Sequence, residues 1–347
     1  MIGSNFTGIG HYIENLVQQI AKKDNQNQYV IFMNEPEYSK FKLPNKNFSK
    51  VLCQAPIYSL KEQTHFALKL YQYKLDLVHF PHFNAPIAYV KKNIVTIHDL
   101  TLNSHAKNIY KKIAYKLSFF LNCLKAKKII CVSNFSKNEL NKHIPFTKHK
   151  SNVIYEGCIF DQPVNTKNKQ NYIFYAGNWK AHKNIENLIL AFEILKSQYN
   201  FEGDLKLTGS PSSDHTKPAE LINKSKYQNN IHILNKVPKQ ELAELFSQAQ
   251  VYVQPSLLEG FGLPVLEAFF YQTPVACSNT GSLPEVAGKA AMFFNPKDPA
   301  DIAHAINKIL SDKKLRERLA KNSEQQLKMF SFAKMTDETL KLYRNVL

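Results

Sequence analysis

Two carboxylates, Glu259 and Glu267, lie on either side of a turn that contains Gly260 and Gly262. Glycine lets the backbone turn tightly and come close to a ligand. Ionised carboxylates accept hydrogen bonds without donating any, so the pair suits a ligand with several hydroxyl groups. Taken singly, Glu267 is also explained as a residue that favours a helix start, and Glu259 as a solvated loop charge.

The segments around this turn must position the carboxylates. The apolar residues 251–253 predict a buried parallel strand before it. Pro264 suits the first helical position, so a helix is predicted after the turn. The free N–H groups and positive dipole end of such a helix bind phosphate. Hydroxyl acceptors beside a phosphate site match the two halves of a nucleotide sugar.

This order of strand, carboxylate, glycine turn, proline and carboxylate resembles the retaining glycosyltransferases of family 4, in which seven residues separate two glutamates. The resemblance implies an α/β protein of the GT-B fold, with two Rossmann-like doubly wound domains that face a central cleft. It implies that Glu267 binds the ribose hydroxyls and that Glu259 is a catalytic residue near the donor sugar. It also places Gly260, Phe261, Gly262 and Leu263 around the donor.

A chain of 347 residues, 44% of them hydrophobic, is long enough for two domains. We find no apolar run that could cross a bilayer and no secretory signal at Met1. The five cysteines include no Cys-x-x-Cys pair, which argues against disulfide and metal frameworks and favours a reducing cytoplasm.

The net charge of +17 is compatible with an anionic partner. Arginine is the usual reader of guanine and phosphate, yet Arg316, Arg318 and Arg344 are the only arginines among 45 basic residues. We therefore expect no nucleic-acid partner. Peripheral attraction to an anionic membrane surface remains as a hypothesis.

The first half of the chain predicts alternating helices and strands. A small-residue loop over residues 1–10 precedes a helix from about His11 to Lys23. Strands follow at residues 29–33, 75–80 and 94–97, with a helix at 64–73, which favours a parallel doubly wound sheet. The family places a donor-binding glycine loop here, after a first strand, which implies Gly8 and Gly10. This chain shows no such strand before Gly3.

Polar residues follow two of these strands, where the ligands of such sheets bind. The segment 81–86 contains His82, for which we favour a structural role. His98 and Asp99 follow the strand at 94–97. The resemblance implies that His98 is a catalytic residue at the donor sugar and that Asp99 binds the donor.

Residues 108–128 predict a helix with an apolar stripe and a polar side that carries Lys111, Lys112, Lys116 and Lys125. Basic amphipathic helices can lie on membranes. The alternative, which the sequence favours, is a helix of the domain with a solvated charged face.

The remaining pattern suggests where the domains end. A strand at residues 129–132 leads to Ser133, which suits a helix cap, and a further strand is predicted at 153–157. Residues 161–171 are polar and lack periodicity, so they predict a linker. We expect an acceptor-side domain at 1–165, a nucleotide-sugar domain at 166–330, and a final helix at 331–347 that the resemblance places back on the first domain.

The second domain repeats the alternation, with strands at 172–176, 205–208, 231–234 and 275–277 and a helix at 185–199. Lys183, just before this helix, adds a charge to the dipole and suits a diphosphate, although a solvated lysine explains it too. The resemblance implies that Lys183 is catalytic and donor-binding, that Val237 binds the base through its backbone, and that residues 281–285 form a family turn. The usual family arginine near Asn178 or His182 is missing.

The implied reaction is transfer of a sugar from a nucleotide donor, here expected to be GDP-mannose, to a glycan or lipid-linked glycan with retention, in polysaccharide or lipopolysaccharide biosynthesis. The chain has no Asp-x-Asp motif, so we expect no metal cofactor and assign the leaving diphosphate to Lys183 and the helix start. Two other classes stay open. One is a glycosidase that uses Glu259 and Glu267, and the other is a non-catalytic, basic surface-binding protein.

Overall fold

The computed structural model describes residues 8–56, 59–100, 109–158, 168–211 and 215–347. The chain divides into two compact units. Unit 1 comprises Met1–Ile159 and Phe330–Leu347, and unit 2 comprises Phe160–Met329. The predicted division at residues 165/166 lies outside the described residues.

Unit 1 alternates helices and strands. Its elements are α1 (Gly8–Lys23), β1 (Tyr29–Met33), α2 (Glu37–Lys40), β2 (Phe48–Leu52), a π-helical segment (Glu62–Phe66), α3 (Ala67–Gln72), β3 (Val78–Phe80), β4 (Asn93–Ile97), α4 (Ile109–Lys125), β5 (Lys128–Cys131), α5 (Asn134–His143), a 3-10 turn (Pro145–His149) and β6 (Ser151–Val153).

Unit 2 repeats the alternation, and the last helix returns to unit 1. The elements are β7 (Tyr172–Tyr175), a 3-10 turn (Ala181–Lys183), α6 (Ile185–Gln198), β8 (Asp204–Leu207), α7 (Lys217–Lys224), a 3-10 turn (Gln228–Asn230), β9 (Ile231–Ile233), α8 (Lys239–Gln248), β10 (Val251–Gln254), α9 (Leu263–Phe270), β11 (Val275–Ser278), α10 (Leu283–Ala287), β12 (Ala291–Phe294), α11 (Pro299–Ser311), α12 (Lys313–Leu327) and α13 (Phe332–Arg344).

All strand pairs of the described chain are parallel, as the alternation predicted. Unit 2 contains one sheet of six strands in the order β12-β11-β10-β7-β8-β9. In unit 1, β1 and β2 form a pair of their own, and β3-β4-β5-β6 form a four-stranded sheet. The carboxyl ends of the strands therefore gather at one edge of each sheet, where ligands of such folds bind.

Several predicted boundaries shift in the structure. Helix α1 begins at Gly8, before the predicted start at about His11, and so includes Gly8 and Gly10, which were predicted in a loop. Helix α9 begins at Leu263, which makes Pro264 its second residue and Glu267 its fifth. Glu267 therefore lies in the second turn rather than the first. The last strand of unit 1 ends at Val153, so Glu156 lies in the loop after it.

Two strands were not predicted, and one predicted linker is partly fixed. The missed strands are β2 and β12, which are short and only partly buried. The predicted linker ends in residues that pack on unit 2, because Lys169 Nζ donates to Ser247 O at 2.8 Å and to Thr273 Oγ1 at 2.9 Å. The rest of that linker, residues 161–167, lies outside the described residues.

Helix α4 exposes the predicted apolar stripe, while Phe119 and Cys123 on another side of the helix lie in the core of unit 1. Five large side chains are between 43% and 77% exposed: Tyr110, Ile113, Leu117, Phe120 and Leu124. Lys125, predicted on the polar face, instead points its ammonium at the carbonyls of Pro86, Ile87 and Tyr89. Burial lowers the pKa of Lys125 to about 8. The side chain of Lys111 lies outside the described part.

No helix among the described residues is both long and apolar enough to span a bilayer.

Candidate active site

The sheet of unit 2 reverses its order between β10 and β7, its two central strands. From β7 the chain proceeds outward to β8 and β9, whereas from β10 it proceeds the other way to β11 and β12. Loops that follow strands at such a switch point diverge and leave a crevice for a ligand. The loops after β7 and β10 carry Lys183 and Glu259, two of the residues predicted to be catalytic.

The Glu259 carboxylate is held at a single oxygen. Its Oε1 accepts hydrogen bonds from Lys183 Nζ at 2.7 Å, Gln254 Nε2 at 2.8 Å and Ser256 Oγ at 2.7 Å. Three donors, one of them charged, satisfy this oxygen and fix the direction of the partly buried carboxylate. Within the described chain Oε2 accepts no hydrogen bond, so that oxygen remains available to a ligand. The solvated loop charge considered from sequence is therefore wrong for Glu259.

Gln254 and Ser256 are support residues that the sequence did not single out. Both are almost completely buried, and the Tyr252 hydroxyl donates to Gln254 Oε1. That contact orients the Gln254 amide nitrogen toward Ser256 Oγ, at 2.9 Å, and toward Glu259. The sequence signal for this role was a glutamine and a serine at or just after the end of an apolar strand. Polar side chains in such a buried place need hydrogen-bond partners.

Lys183 lies at the end of a 3-10 turn, and the residue after it anchors the loop. Asn184 adopts a left-handed conformation, with φ of 61°, and its Nδ2 donates to Pro255 O at 2.9 Å and Pro296 O at 2.7 Å. The Leu257 amide also donates to His182 O at 2.8 Å. These bonds fasten the Lys183 loop to the Glu259 loop. A phosphate near Lys183 would compete with Glu259 for the ammonium.

The glycines of the site are required by close approaches. Gly262 has φ of +112°, and a Cβ there would lie 2.8 Å from Leu283 Cδ2. Gly281 has φ of +65°, and its Cβ would lie 3.0 Å from both N and O of Glu259. The turn at 281–285 thus packs directly against the backbone of the Glu259 loop. Ser282 Oγ also donates to Glu259 O at 3.1 Å and to Phe261 O at 2.7 Å.

Glu267 differs from Glu259 in its surroundings. No side chain in the described residues donates a hydrogen bond to its carboxylate. Burial raises the pKa of Glu267 to about 7, and the charge of Lys239 opposes this shift. An unpaired carboxylate of this kind gains more from ligand hydroxyl groups than a carboxylate that is already satisfied.

The remaining predicted donor contacts of unit 2 lie around the same loops. Gly260 and Leu263 are half-buried, and Phe261 is buried. Val237 is half-buried in the turn between β9 and α8. Because Lys239 at the start of α8 acts on the Glu267 charge, this end of α8 lies near Glu267.

The predicted residues of unit 1 lie at the carboxyl ends of its strands or in α1. His98 follows β4 and uses both ring nitrogens: Nδ1 lies 2.6 Å from Glu156 Oε1 and Nε2 lies 2.9 Å from Pro81 O. Neither nitrogen is left for a sugar hydroxyl in this arrangement. Asp99 is half-buried beside it. Gly10 is buried and Gly8 is exposed in the first turn of α1.

The described residues hold no group of three or more His, Cys, Asp or Glu side chains arranged for a metal ion.

Two family models match the chain, and they meet at the division between the units. The model described as Glycosyltransferase Family 4 matches residues 6–161, and the model described as Glycosyl transferases group 1 matches residues 159–326. The chain belongs to the family 4 glycosyltransferases. The protein is therefore a transferase, and the glycosidase and the non-catalytic binding protein considered from sequence are set aside.

Relatives of this glycosyltransferase include two O-antigen chain mannosyltransferases. It is 28% identical to O-antigen chain mannosyltransferase B of Escherichia coli, over 97% of this chain and 96% of that protein. It is also 28% identical to O-antigen chain mannosyltransferase RfbU of Salmonella typhimurium, over 67% of this chain and 64% of the relative. This likeness makes the protein mannosyltransferase-like.

Solved structures confirm the fold of this glycosyltransferase as GT-B. A sucrose-phosphate synthase from Thermosynechococcus elongatus superposes with a TM-score of 0.79 at 19% identity, covering 98% of this chain and 93% of that one. Anabaena HepE in complex with UDP and glucose gives a TM-score of 0.76 at 15% identity, with 99% and 98% covered.

We predict that donor affinity depends on the ionisation of Glu267. We propose, from the family resemblance, that Glu267 binds the ribose hydroxyls of the donor. Its pKa is about 7 in the free protein, and the ionised carboxylate accepts hydroxyl groups more strongly than the neutral acid does. The affinity should therefore rise with pH through 7, and the dissociation constant at pH 6 should be about tenfold higher than at pH 8. Calorimetric titration with a nucleotide sugar measures this. A free nucleotide is avoided, because its terminal phosphate titrates near pH 6.

The matched control is Glu267→Gln, which keeps the shape and removes the titration. It should bind more weakly than wild type at pH 8, by roughly 1.5–3 kcal/mol for one hydrogen bond to a charged group, and its affinity should not change from pH 6 to 8. A pH dependence equal in both proteins would assign the titration elsewhere.

Proposed function

We propose that this glycosyltransferase moves mannose from GDP-mannose to a glycan or lipid-linked glycan, with retention of the anomeric configuration, in the biosynthesis of an O-antigen or related polysaccharide. The observation that carries the proposal is the site at the switch point of unit 2, where one carboxylate and one ammonium are paired beside a helix start. The names of the two O-antigen mannosyltransferase relatives support mannose as the sugar.

The proposed chemistry is electrostatic. As the bond between sugar and diphosphate breaks, negative charge develops on the leaving phosphate. Lys183 and the free N–H groups at the start of α9 would receive that charge. Glu259 releases Lys183 to the phosphate and keeps Gln254 and Ser256 as partners, so its carboxylate stays hydrogen-bonded and oriented near the donor sugar. The departing phosphate would accept the proton of the attacking hydroxyl.

The donor is tested by a panel of GDP-, UDP- and ADP-sugars in a thermal-shift assay, followed by transfer from the tightest binder. We expect GDP-mannose to raise the melting temperature most and to give a product whose anomeric proton shows the configuration of the donor. A product with the opposite configuration would refute retention, and a larger shift with a UDP- or ADP-sugar would refute the donor assignment.

We further propose that the transfer needs no metal ion, since Lys183 and α9 supply the positive charge. Activity should be unchanged after dialysis against EDTA. The control is Lys183→Gln, which should lose most of its activity and should not regain it when manganese or magnesium is added. Loss of wild-type activity in EDTA, with recovery on adding either ion, would overturn this proposal.

We propose that the enzyme works at the cytoplasmic face of a membrane and that α4 makes the contact. Its five exposed apolar side chains lie on one face, at intervals of three and four residues. Phe146 continues this surface, because its ring packs edge-on against Phe120 at 5.5 Å. We call these six side chains the α4 apolar surface. Exposed apolar area of this extent is typical of a contact site.

The charge around the α4 apolar surface favours an anionic lipid as its partner. No aspartate or glutamate occurs between Asp99 and Glu139, while Lys116 is exposed on the flank of the surface and Lys112 is partly exposed. Each lysine near an anionic bilayer contributes on the order of 1 kcal/mol, and the apolar side chains add burial in the interface.

We predict that the protein co-sediments with vesicles of anionic lipid and that Ile113→Gln with Leu117→Gln abolishes this. Lys112→Gln with Lys116→Gln should reduce binding at low salt and have little effect at high salt, where charges are screened. The matched control changes the exposed Lys314 and Lys321 of α12 to glutamine, with the same loss of charge, and should sediment as wild type. If the control loses as much vesicle binding as the α4 lysine variant, the effect comes from net charge and not from α4.

A further inference from the structure

Strand β10 carries two polar side chains, Tyr252 and Gln254, on one face of the unit 2 sheet. Successive side chains of a strand alternate between its faces, and Val251 and Val253 lie in the apolar core on the other face. Tyr252 and Gln254 are 0% and 1% exposed. Apolar side chains of the same shape would serve such a buried strand at least as well. This polar pair therefore points to a role at the end of the strand, where the site lies.

The hydrogen bonds of this pair all run toward Glu259. Gln254 Oε1 can only accept, so the Tyr252 hydroxyl that meets it is the donor. The Gln254 amide nitrogen faces the other way and donates to Ser256 Oγ at 2.9 Å and to Glu259 Oε1 at 2.8 Å. Ser256 Oγ donates to the same Glu259 oxygen at 2.7 Å. We call Tyr252, Gln254 and Ser256 the β10 network.

The Tyr252 hydroxyl keeps its proton. Burial raises the pKa of Tyr252 well above its ordinary value, and the neighbouring Tyr175, Glu267 and Glu259 raise it further. The hydroxyl is therefore a hydrogen-bond donor throughout the neutral pH range. Because both glutamates of the site act on it, Tyr252 lies near both of them, although it is sealed from solvent.

Tyr252 fixes which end of the Gln254 amide faces the carboxylate. The two ends of a glutamine amide have similar shapes, so hydrogen-bond partners decide its direction. If the amide turned over, Gln254 Oε1 would face Glu259 Oε1, and two acceptors at that distance repel each other. The Tyr252 hydroxyl prevents this, because only the oxygen end of the amide accepts its proton. Tyr252 thus acts on Glu259 through Gln254.

The β10 network matters most after Lys183 has left Glu259. The proposed chemistry gives Lys183 to the leaving phosphate, so Glu259 Oε1 then keeps the two donors of the network. Gln254 is fixed at the end of a buried strand, and Ser256 is tied to β11 because Ser278 Oγ donates to Ser256 O at 2.6 Å. These two donors then set the direction of Glu259 Oε2, which accepts no hydrogen bond within the described chain.

The direction of Glu259 Oε2 bears on which sugar the site accepts. A site that is built to bind a substrate hydroxyl strongly rejects an analogue that does not offer it, because the polar group of the site is then left unpaired. Epimeric sugars differ only in where one hydroxyl group points. A carboxylate oxygen held in one direction distinguishes them, whereas a carboxylate that can turn follows either hydroxyl.

We propose that Tyr252 and Gln254 are positioning residues that set the selectivity for the donor sugar: they hold Glu259 by Oε1 so that Oε2 distinguishes a hydroxyl group of the transferred sugar from that of its epimer. The inference rests on the proposed function, in which Glu259 lies near the donor sugar. Both side chains are buried, so their effect reaches the donor through Glu259.

The test measures selectivity as the ratio of kcat/KM for GDP-mannose to kcat/KM for its epimer GDP-glucose. In Tyr252→Phe and in Gln254→Met we expect this ratio to fall by about tenfold or more, mainly through kcat with GDP-mannose. The calorimetric dissociation constant of GDP should stay within about threefold of wild type. If both variants lose activity equally on the two sugars and keep the ratio, the network only supports the fold and the proposal is overturned.

The matched control is Tyr172→Phe on the neighbouring strand β7. The Tyr172 hydroxyl is buried and donates to Leu245 O at 2.8 Å, and Tyr172 begins its strand, at the opposite end from the site. This variant loses a buried hydroxyl of the same kind, but its ratio should stay within about twofold of wild type. A fall as large as that of Tyr252→Phe would assign the effect to lost stability and refute positioning.

The double variant Tyr252→Phe with Gln254→Met separates positioning from stability. Each single change leaves one buried partner without its hydrogen bond, whereas the double change removes both partners. The double variant should therefore melt at a higher temperature than the less stable single variant. Its selectivity should equal that of Gln254→Met, because Tyr252 acts through Gln254. A further fall of the ratio in the double variant would contradict this route.

A spectroscopic readout is independent of any transfer activity. In NMR of protein labelled in its glutamine side chains, the Gln254 amide is the signal that Gln254→Met lacks. Its protons should exchange with solvent about tenfold more slowly in the wild type than in Tyr252→Phe. If the wild type transfers no sugar from any nucleotide but shows the slow amide, the proposed function has failed and the network has not. Equal exchange in the two proteins would refute the network itself.

Discussion

The site depends on one partly buried ionic contact, in which a single oxygen of Glu259 accepts hydrogen bonds from Lys183, Gln254 and Ser256. A carboxylate removed from water is tolerated only when donors replace its hydration. Lys183 comes from the loop after β7, whereas Gln254 and Ser256 come from the end of β10 and the loop after it. The contact therefore sets the distance between the two loops. The Glu259 backbone must lie close to residue 281 for this contact to form. Residue 281 is therefore glycine, because a side chain there would meet the Glu259 backbone.

The regular parts of this architecture could be predicted because they follow from local pattern. The buried strands of both units appear as short apolar runs, and the site loop of unit 2 appears as glutamates and glycines at fixed spacing. Strand β2 was missed because its residues are mixed in polarity, whereas β12 is an apolar run of only four residues at the end of its sheet. The contact of His98 with Glu156 joins residues 58 positions apart, and no local pattern encodes such a contact.

Helix α4 shows a second limit of periodicity. The sequence showed the stripe of apolar residues but not whether it faces the core or the solvent. A period of 3.6 residues shows that apolar residues share one face of a helix, not what that face contacts. In the structure, large apolar side chains of α4 face outward, whereas Asn122 and Lys125 face inward beside the core residues Phe119 and Cys123. The inward polar groups are satisfied by carbonyls, so their burial is compensated. Full burial of such a side chain is worth roughly 1.5–3 kcal/mol, and each outward side chain forgoes the share of it that matches its exposed fraction.

The divided sheet of unit 1 has a consequence for how that unit unfolds. No backbone hydrogen bond of the described chain joins the β1-β2 pair to the four-stranded sheet. The two sheets are united by side chains, since Met33 and Phe48 share one apolar cluster with Ile94 and Ile130 beneath α1 and α13. The last helix of the chain therefore acts as a clamp on the first strands. Because α13 supplies Phe332, Met335, Leu340 and Leu342 to this cluster, we expect that loss of α13 would leave β1 and β2 less protected against local unfolding.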